Sequence, residues 1–262
     1  MNKKIAIIGG GNLGVSIAEG LIKSGFCLPE HLIITKRHIH TLKDIEEKGV
    51  LVTKDNPEAV RYADLILLAV KPFQIKDVLI QLKDELQSSR HVLVSVVTGT
   101  TIEEIQSCVG NHIPVVRAMP NTAIAIQESM TCICHQHLSD NQLDYVQDLF
   151  SQLGRVVLLD EKLMDASTVL GACGIAFALR YIRASIQGGI EIGFDAKTAA
   201  LIAAQTVKGA AELLIQKGAH PEQEIDKVTT PKGCTIAGLN EMEHRGFSSS
   251  LIMGIKASYD RI

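Results

Sequence analysis

The chain has 262 residues, with 26 Lys and Arg against 29 Asp and Glu and a net charge of −3. That balance provides no basic field for nucleic acid or an anionic membrane, and 4% aromatics without a Trp provide no base-stacking platform. The length fits one large or two modest domains, able to bury a core without metal or disulfide staples.

Lys4 to Ile8 predicts a buried strand, Asn12 to Lys23 a helix closed by Gly25, and Leu32 to Thr35 a second strand. Thr41 to Lys48 predicts a helix ended by Gly49, Val50 to Thr53 a short strand, and Pro57 to Tyr62 a short helix with Pro57 in its first turn. Leu65 to Val70 is an apolar strand and Ile75 to Leu86 an amphipathic helix. His91 to Val97 is a strand, Thr101 to Cys108 a helix and Val115 to Met119 a strand. Unbroken apolar strands alternating with helices signal an α/β fold with a doubly wound parallel sheet, covered on both faces. The last strand ends around Val156 to Leu159, and the rest has helical period. Leu163 to Gly188 predicts one long helix, and Ala196 to Lys217 a second with Asp195 as N-cap and Gly218 just past its end. Glu222 to Val228, Thr235 to His244 and Ser249 to Tyr259 follow. These helices are apolar around much of their circumference and cannot bury themselves alone. The expectation is therefore a doubly wound α/β domain over 1–160 and an all-helical domain over 161–262 that packs on a second copy of the chain.

The six cysteines, at 27, 108, 132, 134, 173 and 234, do not form a disulfide framework, which suits a reducing cytosol. Cys132, Cys134, His135 and His137 fall on a predicted strand, which sends the two thiols to one face and the two imidazoles to the other. Strand packing is the reading there, and no metal site is expected. The apolar stretch after Lys3 and Lys4 is interrupted by three glycines and Glu19 and does not read as a leader. The run from Ala166 to Leu179 ends at Arg180 and reads as too short for a bilayer, so a cytoplasmic location is expected.

The first strand runs into Gly9-Gly10-Gly11-Asn12-Leu13-Gly14 and then a helix. Gly9, Gly11 and Gly14 fill the G-x-G-x-x-G spacing of a Rossmann-type dinucleotide site. The first permits the tight turn, the second lets backbone approach a pyrophosphate, and the third lets helix and strand pack closely. The phosphates then meet free amides at a helix N-terminus, beside Asn12 and Leu13. An NAD enzyme places Asp or Glu at the end of the second strand. Here stand Thr35, Lys36 and Arg37, a hydroxyl and two cations that suit a 2′-phosphate. NADP(H) is the expected cofactor, with NAD(H) as the alternative. A solvated basic loop is the plain reading of the same three residues. Ala69-Val70-Lys71-Pro72, Thr98 and the loop around Asn56 lie at further strand ends or turns on the expected ligand edge, where Pro72 fixes the chain as it leaves its strand.

The segments "IGGGNLG", "AVKP", "RAMPNTA", "LMDASTVLGACG", "AAQTVKGAAELL", "HPEQEIDKVTTPKGCTIAGL" and "GFSSSLI" together resemble pyrroline-5-carboxylate reductase over essentially the whole chain. The resemblance implies a Rossmann domain, a helical dimerisation domain, a homodimer that assembles further, and reduction of the cyclic imine 1-pyrroline-5-carboxylate to L-proline. It places the substrate on the "VTTPKGCT" loop and the following helix, with Thr235 as the catalytic residue, Gly233 and Cys234 beside it, and Glu161 near the substrate. A turn through Pro231 and Gly233 at a helix N-terminus offers amides to a carboxylate, and the Thr235 hydroxyl offers a partner to the imine nitrogen. Helix capping is the plain reading of Thr235.

The family's usual "LSGSGPAY" appears as Leu170 to Phe177, without its two serine hydroxyls, its proline and its tyrosine hydroxyl. Its "SPGGTT" appears as Thr230 to Thr235, with Lys232 for a glycine and Cys234 for a threonine. Its "MPNTP" appears as Met119 to Ala123. These departures keep two alternatives open. One is a non-catalytic NADP-binding sensor or scaffold. The other is a related two-domain hydroxyacid or imine reductase with a different substrate, although "GACGIAFALRYIRASIQ" lacks the lysine that hydroxyacid dehydrogenases place on that helix.

Overall fold

The computed structural model describes residues 3–262. It forms two compact units, one running through Cys173 and including Ile262, the other Gly174–Arg261.

The first unit is built on an eight-stranded sheet in the order β3-β2-β1-β4-β5-β6-β7-β8. The strands are β1 (Ile5–Ile8), β2 (Leu32–Thr35), β3 (Leu51–Thr53), β4 (Leu65–Leu68), β5 (Val92–Ser95), β6 (Val115–Met119), β7 (Ser129–Gln136) and β8 (Gly154–Leu158). β1 to β6 are parallel, and β7 turns antiparallel to β6 with Arg117 opposite Cys134. β8 then pairs parallel to β7. A purely parallel sheet was expected; the reversal follows from the short connection Pro120 to Glu128, which has no room for a crossover helix.

Alternation within the strands feeds two cores. Ile5 and Ile7 face one side with Ile34, Leu65 and Val94, under Ile17 and Leu21 of α1 (Asn12–Lys23). Ala6 and Ile8 face the other with Ile66, Leu68 and Leu93. That side is covered by α3 (Asn56–Tyr62), α4 (Ile75–Leu82) and α5 (Ile102–Val109). The predicted helix at Thr41 to Lys48 is a 3-10 turn followed by the short α2 (Lys43–Glu46). One helix has no counterpart in the sequence reading: α6 (Asp140–Ser151), which buries Val146, Leu149 and Phe150 on the first core.

The long helix expected from Leu163 to Gly188 is broken. A short α7 (Met164–Ser167) passes into a π-helical turn, Thr168–Cys173, before α8 (Gly174–Glu191). The hydroxyls of Ser167 and Thr168 both donate to the Met164 carbonyl, at 2.8 and 2.9 Å. They take the acceptor a regular helix gives to an amide. Met164 and Val169 are fully buried, so this stretch is folded onto the sheet.

The second unit contains α8, α9 (Ala196–Lys217), α10 (Pro221–Val228), α11 (Cys234–His244) and α12 (Phe247–Tyr259). The Asp195 carboxylate caps α9 by accepting from Lys197 and Thr198, and Gly218 closes it in the left-handed conformation. The helical stretch Glu161–Glu191, its π turn included, runs on past Arg180. Both it and α9 are long and apolar enough to cross a bilayer by length and composition, contrary to the expectation from the interrupted runs.

Candidate cofactor and substrate site

The strand order places the topological switch point between β1 and β4, with the glycine-rich loop leaving the carboxyl end of β1. The Gly10 amide donates to the Thr35 carbonyl at 2.7 Å and the Ala69 amide to the Ile8 carbonyl at 2.8 Å, so three strand ends are tied together. The three glycines have different physical reasons. Gly9 has φ +116°, and a Cβ there would lie 2.6 Å from the Ala69 carbonyl oxygen. A Cβ on Gly14 would lie 2.2 Å from the Gly9 oxygen. Gly11, the N-cap of α1, has an ordinary extended backbone and nothing within 4 Å of its Cβ position. The protein's own packing demands the first and third glycines. It leaves the space beside the second open, at an uncapped helix N-terminus with Asn12 and Leu13 in its first turn. This cradle fits the pyrophosphate of a dinucleotide.

The structure separates the three residues at the end of β2. Thr35 is buried in the sheet, Lys36 is half-buried, and Arg37 is exposed beside the exposed His38. Around the switch point Ala69 and Val70 are half-buried, Lys71 and Pro72 are exposed, and Thr98 is exposed in the β5–α5 loop. Asn56 opens α3, where its side-chain amide donates to Gln81 at 3.2 Å.

Cys132 and Cys134 lie in the apolar core of the sheet, and burial pushes the Cys134 thiol up to about 11. His135 is half-buried. His137 lies past the end of β7 with φ +62° and so drops out of the strand's alternation. Among the described residues no group of three His, Cys, Asp or Glu side chains is placed to hold a metal.

In the helical unit the "TTPKGCT" segment makes a tight turn. The Gly233 amide donates to the Thr230 carbonyl at 2.9 Å, and Lys232, where the family pattern has glycine, adopts φ +62°. Gly233 is the N-cap of α11, and no side-chain cap closes that end. The Thr235 hydroxyl is therefore not the cap that its position suggested. Cys234 is exposed and Thr235 half-buried in the first turn.

Glu161 belongs to the sheet-bearing unit. Its Oε1 accepts from the Ile102 amide at 2.8 Å and from Arg117 Nη1 at 2.9 Å. Arg117 is 3% exposed and was not singled out from the sequence. A lone cation inside an apolar strand is the signal that marks it.

Residues 161–262 match the family model for pyrroline-5-carboxylate reductase dimerisation, and residues 4–99 match the model for NADP oxidoreductase coenzyme F420-dependent. Pyrroline-5-carboxylate reductase 2 of Dictyostelium discoideum is 43% identical over 99% of this chain and 92% of its own length. The chain belongs to the pyrroline-5-carboxylate reductase family. Pyrroline-5-carboxylate reductase 1 of the same organism is 46% identical over 98% of this chain, which spans about half of that relative's length (49%). Among solved structures, the NADP-bound pyrroline carboxylate reductase of Plasmodium falciparum superposes with a TM-score of 0.88 at 26% identity, covering 99% of this chain and 97% of the other. Within the family's two-part plan, the family model for the helical part begins at residue 161. Compactness instead groups residues 161–173 with the sheet.

Proposed function

We propose that this chain reduces 1-pyrroline-5-carboxylate to L-proline with NADPH as hydride donor, acting in the cytoplasm as a homodimer. The observation that carries the reading is the open cradle at Gly11, at a sheet switch point in a chain of this family. When bound, the reduced nicotinamide supplies a hydride to the imine carbon. The nitrogen ends protonated, and a five-membered cyclic imine is basic enough to bring that proton with it. The protein's task is then chiefly to hold donor and acceptor together. Gly9, Gly11, Asn12, Leu13 and Gly14 cradle the pyrophosphate. Ala69 to Pro72 and Thr98 line the nicotinamide side, and Asn56 flanks the adenosine side. The free amides of Gly233, Cys234 and Thr235 at the α11 N-terminus take the substrate carboxylate. The Thr235 hydroxyl faces the imine nitrogen, and Glu161 serves the site at one remove.

The assay is spectrophotometric NADPH oxidation with a panel of cyclic imino acids and, as controls, 2- and 3-hydroxy acids with NADP. Turnover with 1-pyrroline-5-carboxylate is expected. Tight NADPH binding without turnover on any imine would overturn the catalytic reading, and preferred turnover of a hydroxy acid would overturn the substrate. Thr235→Ala is expected to lower kcat for the imine by about tenfold or more, with the Kd of NADPH unchanged. Unaltered turnover would remove Thr235 from the chemistry.

Preference for NADPH over NADH rests on Lys36 and Arg37, with Thr35 contributing backbone rather than its buried side chain. Arg37→Ala is expected to weaken NADPH about tenfold, or ~1.4 kcal/mol, and NADH less than twofold, as measured by fluorescence titration. Equal weakening of both would place the selection elsewhere.

A further inference from the structure

The sheet interior contains one side chain that core packing does not call for. Arg117 is the third residue of β6, between Val116 and Ala118, and its side chain is 4% exposed. A buried cation carries a desolvation cost that a well-packed apolar residue of similar volume avoids. Its compensation is incomplete: Nη1 meets Glu161 at 2.9 Å, Nη2 lies 3.7 Å from the Asp165 carboxylate, and Nε and Nη2 are buried without a hydrogen-bond partner. Stability alone is a poor reason to keep such a residue, so its geometry points to another.

That geometry joins three segments. Register pairs Arg117 with Ser95, the last residue of β5, after which the chain enters the loop carrying Thr98. The loop ends at α5, whose first amide, that of Ile102, donates to the same Glu161 oxygen that accepts from Arg117. Glu161 opens the thirteen residues 161–173 that lie on this sheet. Farther along that stretch the Asn121 side-chain amide, in the loop after β6, donates to the Gly171 carbonyl at 3.3 Å. Two neighbouring strand-end loops on the nicotinamide side are thus tied to one strap, and its strongest tie is anchored by Arg117.

We propose that the Arg117–Glu161 pair is a positioning device for the nicotinamide half of the cofactor. Arg117 fixes the Glu161 carboxylate, Glu161 fixes the start of α5, and the β5–α5 loop with Thr98 is held in its working place. Neither residue needs to touch cofactor or substrate. The inference rests on the cofactor reading above, and it divides the cofactor: the adenosine half, bound at β1 and β2, is not served by this tie.

Glu161→Ala, Glu161→Gln and Arg117→Lys would be compared with the full-length wild type for the binding of 2′,5′-ADP, the binding of NADPH and steady-state kinetics, with folding monitored by circular dichroism. Wild-type affinity for 2′,5′-ADP tests the cofactor reading independently; its absence would sink that reading rather than this one. In Glu161→Ala, 2′,5′-ADP affinity is expected to stay within twofold, while kcat falls about tenfold or more, the scale of a small misplacement of reacting groups. Glu161→Gln keeps an acceptor for both donors and should restore part of that loss. Arg117→Lys should show the same division; should it fail to fold, the two Glu161 variants decide. Four results would each overturn the proposal: kcat within twofold of wild type in Glu161→Ala; a parallel loss of 2′,5′-ADP affinity, which marks a general structural role; no rescue by Gln; or a change confined to the KM of the imine, which makes Glu161 a substrate contact.

Discussion

Gly14→Ala is expected to unfold the cofactor loop, and Gly11→Ala to leave the fold intact while removing its ligand. The new methyl at residue 14 would stand 2.2 Å from the Gly9 carbonyl oxygen and 3.0 Å from Ile7 Cγ2. The obstacle is backbone on one side and a core strand on the other, so neither can step aside as a flexible side chain would. Overpacking of this kind costs about 3 kcal/mol, the upper end of its usual range, or a melting point lower by roughly 6–12 °C. Dinucleotide binding should be lost with it. Gly11→Ala meets no protein atom within 4 Å and needs no unusual backbone angle, so the stability change should stay within about 1 kcal/mol, the difference between Gly and Ala at an N-cap. Its methyl would occupy the space left for the phosphates, and NADPH should bind at least tenfold more weakly, a loss of about 1.4 kcal/mol or more. Thermal melts with and without NADPH measure both effects. A Gly11→Ala protein that binds NADPH as tightly as wild type would mean that the cradle does not hold a pyrophosphate.

The contrast also shows which features of the site are legible from residue order. The spacing of the three glycines was enough to locate the turn, because local packing demands Gly9 and Gly14 and the Gly11 position leaves the space beside it open. The unbroken apolar runs Ile5 to Ile8 and Leu65 to Leu68 announced a parallel sheet for a similar reason: buried strands carry their environment in their composition. What escaped was partly local and partly long-range. α6 carries its own signals: Ser139 and Gln142 at capping-box spacing, and Leu143, Val146, Leu149 and Phe150 on one face. Their order was readable, and the helix was missed because its polar face lowers the apolar content of the segment. The reversal at β7 depends on the length of a loop. The π turn depends on two hydroxyls competing for one carbonyl. Glu161 was legible as a residue near the site only through family resemblance. Its partners, Arg117 and the Ile102 amide, are 44 and 59 residues away in the chain, and no periodicity connects them. Thr35 shows the opposite failure: its residue type suited a phosphate, but the strand that carries it buries it.

The largest effect on assembly is expected from Leu201→Asp. Within Gly174–Arg261 only Ala199 and Ala203 belong to the buried apolar set, while Ile192 is 78%, Leu201 71%, Ile252 63% and Met253 59% exposed. Tyr181, Ile192, Phe194, Ile202 and Met242 line an open apolar groove in the same unit. Helices of this kind must be covered, either by lipid, since two of them are long and apolar enough to cross a bilayer, or by protein. The match of residues 161–262 to a dimerisation model favours a second copy. In a two-fold dimer every substitution enters twice. An unpaired carboxylate moved out of water costs several kcal/mol, so about 4 kcal/mol across the interface corresponds to a roughly thousandfold weaker dimer. Because a unit with so small a core of its own has little stability apart from its partner, the variant should also melt lower and in a concentration-dependent way. Sedimentation at micromolar concentration without detergent distinguishes the possibilities. The wild type should run as a dimer or larger, and Leu201→Asp as a monomer or an aggregate. A wild type that stays in solution only with detergent would show that lipid covers these helices, and a variant of unchanged mass would show that Leu201 faces water in the assembled protein.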